Sequence, residues 1–240
     1  MIQSQALSIL KTGANVFLTG EPGSGKTYTI NKYVAYLRGR GVEPAITAST
    51  GIAATHIGGM TIHSWSGIGI KTKLDKRELN KIASSKYVAK RVRKAKVLII
   101  EEVSMLPPGT LSMIDAVCRE IKQSPDSFGG MQVIFAGDFF QLPPVVKTKA
   151  ENNPQAALVE ESSARFADKS RRARFAASLA RRARFADESR RAHFAYDSPA
   201  WTEANPIVCY LTEQHRQDDS NFLAILSSIR HNAFGSDHLY

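Results

Sequence analysis

The chain has 240 residues, 43% of them hydrophobic and 22% charged, which excludes wholesale disorder and supplies enough apolar side chain for a core. No run approaches the ~20 apolar residues of a membrane helix, and Met1-Ile2-Gln3-Ser4-Gln5 lacks the basic start and apolar run of a secretory signal, so a soluble cytosolic protein without a membrane partner is expected. Lysine and arginine outnumber aspartate and glutamate by 32 to 22, and the resulting +10 points to a polyanionic partner.

The first apolar run, Val16–Thr19, is continuous and not alternating, the pattern of a strand buried on both faces. Directly after it, Gly20-Glu21-Pro22-Gly23-Ser24-Gly25-Lys26-Thr27 fits the phosphate-loop pattern G-x-x-x-x-G-K-[ST]. The glycines of such a loop let backbone N–H groups turn inward around phosphates, at a helix N-terminus whose dipole favours anions. Gly20, Gly23, Ser24 and Gly25 would form the cradle, Lys26 would neutralise the β and γ phosphates, and Thr27 would place its hydroxyl on Mg²⁺. Ile30, Tyr33, Val34 and Leu37 mark one face of the following helix, which Gly39 and Gly41 stop.

A second strand is predicted at Ala45–Thr47. Thr72-Lys73-Leu74-Asp75 resembles a guanine-specificity tetrapeptide, but no strand leads into it, so it is read as a charged loop. The strand Val97–Ile100 delivers Glu101-Glu102 to its C-terminal end, where one carboxylate would hold the Mg²⁺ shell and the other would orient or deprotonate the attacking water. Pro107-Pro108 precede a helix with Leu111, Ile114, Val117 and Ile121 on one face. Gly129-Gly130 then lead into the strand Val133–Ala136.

Residues 163–195 differ, with ten basic and three acidic side chains, +7 of the total. Their unit is Ala-Arg-Phe-Ala followed by an Arg-Arg pair, with phenylalanines at 166, 175, 185 and 194 whose gaps of nine, ten and nine form no continuous apolar stripe on a helix. The array reads as a tandem duplication and a neutral, mobile insertion; the competing reading is a nucleic-acid-binding arm, with arginine on phosphates and phenylalanine on bases. The last strand is Ile207–Leu211, and Cys118 and Cys209 read as buried free thiols. Strand and helix alternate, which predicts an α/β fold with a mostly parallel sheet covered on both faces.

Further motifs follow the same order: Thr47-Ala48-Ser49-Thr50-Gly51-Ile52-Ala53-Ala54, Gly58-Gly59-Met60-Thr61-Ile62-His63-Ser64-Trp65, Glu101-Glu102-Val103-Ser104-Met105, Phe128-Gly129-Gly130, Gly137-Asp138-Phe139-Phe140-Gln141-Leu142-Pro143-Pro144 and Glu213-Gln214-His215-Arg216-Gln217. Together they resemble the Pif (petite integration frequency) family of superfamily one DNA helicases, over nearly all of residues 1–149 and 194–240. The resemblance implies one RecA-like ATPase domain over 1–240, with an insertion at about 150–195, using ATP and Mg²⁺ and gripping single-stranded DNA. It implies that Gln141 senses the γ-phosphate, that Arg216 reaches it, and that Gln3 contacts adenine, with Gln5 close enough to compete. Thr47, Thr50, Gly51, Thr61, His63 and Trp65 fall on the implied strand path, where Trp65 or His63 would stack on a base. The alternative for these two is a core anchor and a satisfied core histidine.

The family's Asp-Glu pair is Glu101-Glu102 here, and an extra methylene at a site that demands octahedral geometry is expected to slow hydrolysis. The chain stops at Tyr240, before the second RecA-like domain that the resemblance leads one to expect, so this chain is expected to hydrolyse ATP feebly and not to unwind DNA by itself; the 5′-to-3′ direction is inferred from the family alone. The alternatives are a P-loop module that binds nucleotide or DNA without turnover and, more distantly, a recombination ATPase.

Overall fold

The computed structural model describes residues 1–141, 144 and 193–213. The chain divides into a unit of Met1–Pro143 with Phe194–Tyr240 and a second unit, Pro144–His193. Every described element belongs to the first. Most of the basic array, the helical pattern at 221–230 and Arg216 lie outside the described residues.

In chain order the elements are α1 (Gln3–Leu10), β1 (Val16–Gly20), α2 (Lys26–Arg38), β2 (Ala45–Ala48), α3 (Gly51–His56), β3 (Met60–Thr61), α4 (Ile62–Ser66), α5 (Lys76–Ala83), α6 (Lys86–Lys94), β4 (Val97–Glu101), α7 (Pro108–Lys122), β5 (Gln132–Ala136), α8 (Pro199–Ala204) and β6 (Ile207–Leu211). The strands form one sheet in the order β3-β2-β4-β5-β1-β6, every pair parallel. Alternate residues of each central strand enter different cores. Leu98, Ile100, Val133 and Phe135 pack with α4 to α7, whereas Val97, Ile99, Ile134 and Leu18 pack with α1 and α2. Covering both faces is what allows the strands to be apolar without alternation. No helix among the described residues is long and apolar enough to cross a membrane.

The expectation of burial on both faces fails for β6. Among the described residues it is an edge strand paired only with β1, and Ile207 and Val208 are 46% and 59% exposed. The two-residue β3 went unpredicted because it is too short to carry a period; Met60 and Thr61 pair with Thr47 and Ala48. Thr72–Asp75 is indeed loop, and Asp75 caps α5 by accepting from the Glu78 N–H at 2.7 Å. Cys118 and Cys209 are free and buried.

Parallel pairing puts the C-terminal ends of β1, β2, β4 and β5 at one edge of the sheet, so their following loops converge. An aromatic cluster sets the last of these. Phe139 packs against Phe17 at 5.2 Å, Tyr196 at 4.8 Å, Phe194 at 5.4 Å and Trp201 at 5.9 Å between ring centroids, and Phe135 stacks on Trp201 at 4.4 Å. Phe194, the final phenylalanine of the array, thus belongs to the core that holds the segment after β5.

Candidate active site

The phosphate loop begins where β1 ends. At Gly20, φ is 147°, and a Cβ would lie 2.6 Å from the Leu211 carbonyl oxygen and 2.8 Å from Ser24 Oγ, so β6 and the loop approach too closely for any side chain. Gly25 precedes the first turn of α2 with φ 85°, the left-handed region that glycine enters without steric cost. No side chain caps α2, which leaves its first-turn N–H groups for an anion. Lys26 folds back over the loop and donates from Nζ to the carbonyls of Gly20 (2.8 Å) and Glu21 (3.0 Å). Gln3, on the first turn of α1, donates to the Ser24 carbonyl at 3.3 Å, while Gln5 turns away to accept from the Ile2 N–H. Of the two competing glutamines, Gln3 is the one on the loop.

A cleft of about 510 Å³ opens over this loop. One side carries Gly23, Gly25, Lys26, Thr27 and Tyr28; the other carries Glu101, Glu102, Asp138 and Gln141. Glu101 ends β4 and is mostly buried; burial above all, and then the charge of Glu102, push its carboxyl up to about 7 against the pull of Lys26. Its Oε1 is buried without a hydrogen-bond partner, as is Ser24 Oγ. A buried carboxylate oxygen lacking a donor, opposite a threonine hydroxyl, fits a hard divalent cation such as Mg²⁺. No cluster of three or more metal-ligating side chains occurs among the described residues, so such a cation would complete its shell with phosphate oxygens and water.

The Glu101 proton makes stability depend on pH. Between the ordinary 4.5 and about 7 the folded, ligand-free protein keeps a proton that the unfolded chain has lost. Stability is therefore full below the unfolded value and declines as pH rises through that window, by at most roughly 3 kcal/mol. Urea midpoints measured in EDTA from pH 5 to pH 8 should fall accordingly, and Glu101→Gln should flatten the trend; an unchanged slope in the variant would contradict this assignment.

Glu102 follows with φ 54° and ψ 41°, an uncommon conformation for a residue with a side chain. The turn aims its carboxylate at α3, where Thr50 Oγ1 donates to Oε2 at 2.9 Å and also caps the helix by accepting from the Ala53 N–H. Ser49 adds two bonds, from its N–H to the Glu101 carbonyl and from Oγ to the Glu102 carbonyl. The β2–α3 loop and the carboxylate pair are thus one hydrogen-bonded unit.

Of the residues expected on the strand path, Thr50 and Gly51 at the start of α3, and Thr61 and His63 at the junction of β3 and α4, lie at least partly exposed. Two do not. Thr47 is fully buried and spends its hydroxyl on the Ile99 carbonyl at 2.6 Å, and Trp65 is 4% exposed within the core. Trp65 is the anchor of α4 and offers no face to a base, which corrects that expectation; His63 is half-buried, and desolvation lowers its pKa. Tyr28 and Asp138 were missed. Asp138 is buried, lines the cleft and accepts from the Phe140 N–H. The available signal was its place two residues beyond a buried strand, at the same edge of the sheet where Glu101 ends β4. Arg216 lies outside the described residues.

The model of the PIF1-like helicase family matches residues 2–193. This chain belongs to the PIF1-like helicase family. Among its relatives, the ATP-dependent DNA helicase Pif1 of Psychrobacter is 47% identical over 217 residues, covering 90% of this chain and 27% of the relative. The yeast ATP-dependent DNA helicase RRM3 is 47% identical over 148 residues, 60% of this chain and 20% of its own. The Pif1 helicase crystal structure from Candida albicans superposes with a TM-score of 0.74 at 30% identity, covering 98% of this chain and 45% of that one. The Bacteroides Pif1 structure with ADP-AlF3 and single-stranded DNA gives 0.68 at 30% identity, over 100% and 48%. The PIF1-like chain therefore spans about a quarter of the first of these curated relatives and about half of the solved chains.

Proposed function

We propose that this chain is the nucleotide-hydrolysing motor domain of an ATP-dependent DNA helicase, binding ATP and Mg²⁺ in the cleft and a single DNA strand along α3 and α4. The parent protein would move 5′ to 3′, and this chain would not unwind duplex alone, because a translocating motor needs two bodies that close around the nucleotide. One juxtaposition carries the reading: the phosphate loop faces Glu101, Glu102, Asp138 and Gln141 in a single cleft, and Glu102 is hydrogen-bonded to Thr50 on the strand path. The Bacteroides relative captured with ADP-AlF3 and single-stranded DNA supports both ligands.

In this scheme the loop N–H groups and Lys26 bind the phosphates, and Gln3, held against the loop by its bond to the Ser24 carbonyl, would contact adenine. Thr27 and Glu101 would hold Mg²⁺, which when bound neutralises charge on the β and γ phosphates. Glu102 orients the attacking water and takes its proton, and Gln141 reads the γ-phosphate from the segment anchored by Phe139. Arg216 would add a cation to the transferring phosphoryl group.

The test is ATP hydrolysis with Mg²⁺, with and without oligothymidine, using Lys26→Ala as the blank. Slow turnover accelerated by the strand and absent in the blank is expected; bound nucleotide with no turnover at all would instead establish a binding module. The inward Glu101 carboxyl, raised to about 7, is the observation that favours that second reading.

The Thr50–Glu102 bond makes its own prediction. Thr50→Val should reduce strand acceleration by about tenfold, the rate equivalent of one charge-assisted hydrogen bond, whereas Thr50→Ser should retain it. Equal acceleration in both variants, measured at saturating strand, would show the bond to be incidental.

A further inference from the structure

Positive charge is not confined to residues 163–195. Residues 71–96 carry eight lysines and three arginines against only Asp75 and Glu78, a net charge of +9, which leaves the chain outside both segments at −6. This second segment is α5, α6 and their flanking loops. Ile82, Val88, Ala89 and Val92 face the core, so the cations are displayed outward.

On α6, Lys86, Lys90 and Lys94 recur every fourth residue, a row of about 12 Å along one helix face. With Arg93 and Ser84 they line an open groove of about 670 Å³ with no carboxylate among its described lining residues. Tyr87, 85% exposed, stands beside the row. Neither Lys86 nor Lys90 takes part in any of the ion pairs among the described residues.

Such a row weakens its own helix. Like charges four residues apart repel, and Lys86 places a cation at the positive end of the helix dipole. Folding does not explain it, whereas a polyanion across the face would relieve it. The face also has a fixed neighbour, because Arg91 of α6 donates to the carbonyls of Ser64 and Trp65 and so fastens α6 to α4.

We propose that the outer face of α5 and α6 is a second nucleic-acid surface, which holds the phosphate backbone of duplex DNA beside the strand carried on α3 and α4. Its neighbour is assigned under the function proposed above, but the charge row stands without that assignment. Lysines presented singly on an open helix face act as point charges on phosphates and read no bases, so the contact is independent of sequence.

The test compares the affinities of a blunt duplex of about twenty base pairs and an oligothymidine of about eight nucleotides across a salt series. For Lys86→Glu/Lys90→Glu, duplex affinity should fall at least tenfold and the slope of log affinity against log salt should shallow by about 1.8, or 0.9 for each lost phosphate contact. Affinity for the short strand should stay within twofold. Lys86→Gln/Lys90→Gln should fall between this variant and the parent, with urea midpoints no lower than the parent's, since the substitutions relieve repulsion within α6. Lys11→Glu/Arg40→Glu, the same change of charge around the Tyr36 ring, should have little effect because α1 and α2 pack on the other face of the sheet from α5 and α6.

Unchanged duplex affinity, no duplex binding by the parent, or equal losses on duplex and short strand would each overturn the proposal. Absence of short-strand binding by the parent would sink the functional reading instead. The duplex result would then decide the basic face by itself.

Discussion

Replacing Glu102 by glutamine should reduce ATP hydrolysis by about 10²- to 10⁴-fold and leave nucleotide affinity within a few-fold of the parent. The amide is nearly isosteric, so it can still accept from Thr50 Oγ1 and keep the β2–α3 loop attached. What it loses is the capacity to take a proton from water. Glu101 cannot substitute, because it sits at the end of β4 with one oxygen buried, whereas Glu102 is exposed at the cleft. Single-turnover hydrolysis with protein in excess, alongside titration of a fluorescent nucleotide, measures both quantities. Residual turnover equal to that of the parent would remove Glu102 from the chemistry.

Lys26→Ala should reduce hydrolysis to the level of a reaction without protein and weaken nucleotide binding as well, a different signature from Glu102→Gln. The ammonium is tethered over the loop by the carbonyls of Gly20 and Glu21, which holds a cation beside the phosphate cradle. Loss of one preorganised donor to a developing negative charge costs about 10²- to 10³-fold in rate, and loss of a phosphate contact also raises the dissociation constant. The substitution has a second consequence in the ligand-free protein. Lys26 is the cation that opposes the upward shift of Glu101, so its removal should move the Glu101 titration to higher pH and extend the stability decline in that direction. Urea midpoints of Lys26→Ala across pH 6 to 9 check this independently of activity.

The two variants divide the site. Under the proposed function, Lys26 would act on ground state and transition state together, and Glu102 on the transition state alone. A fall in binding with Glu102→Gln, or full binding with Lys26→Ala, would reverse those roles.

The sequence alone determined the central strands, the phosphate loop, the carboxylate pair and the order of motifs that marks a PIF1-like helicase. These are local properties: four buried strands announce themselves by continuous apolar residues, and Gly20–Thr27 by a spacing that backbone geometry requires. The sequence also held the +9 of residues 71–96, which the more conspicuous arginine array obscured. Tertiary structure decided the rest, because it depends on which side of an element faces what. An edge position exposes β6 although its residues are as apolar as those of β1. Trp65 and Thr47, in motifs that suggest a strand path, turn inward because the core and the Ile99 carbonyl claim them. Thr50 reaches Glu102 across 52 positions of sequence because parallel pairing of β2 with β4 puts both at the same edge of the sheet. Spacing along the chain carries no information about such contacts; register between strands does.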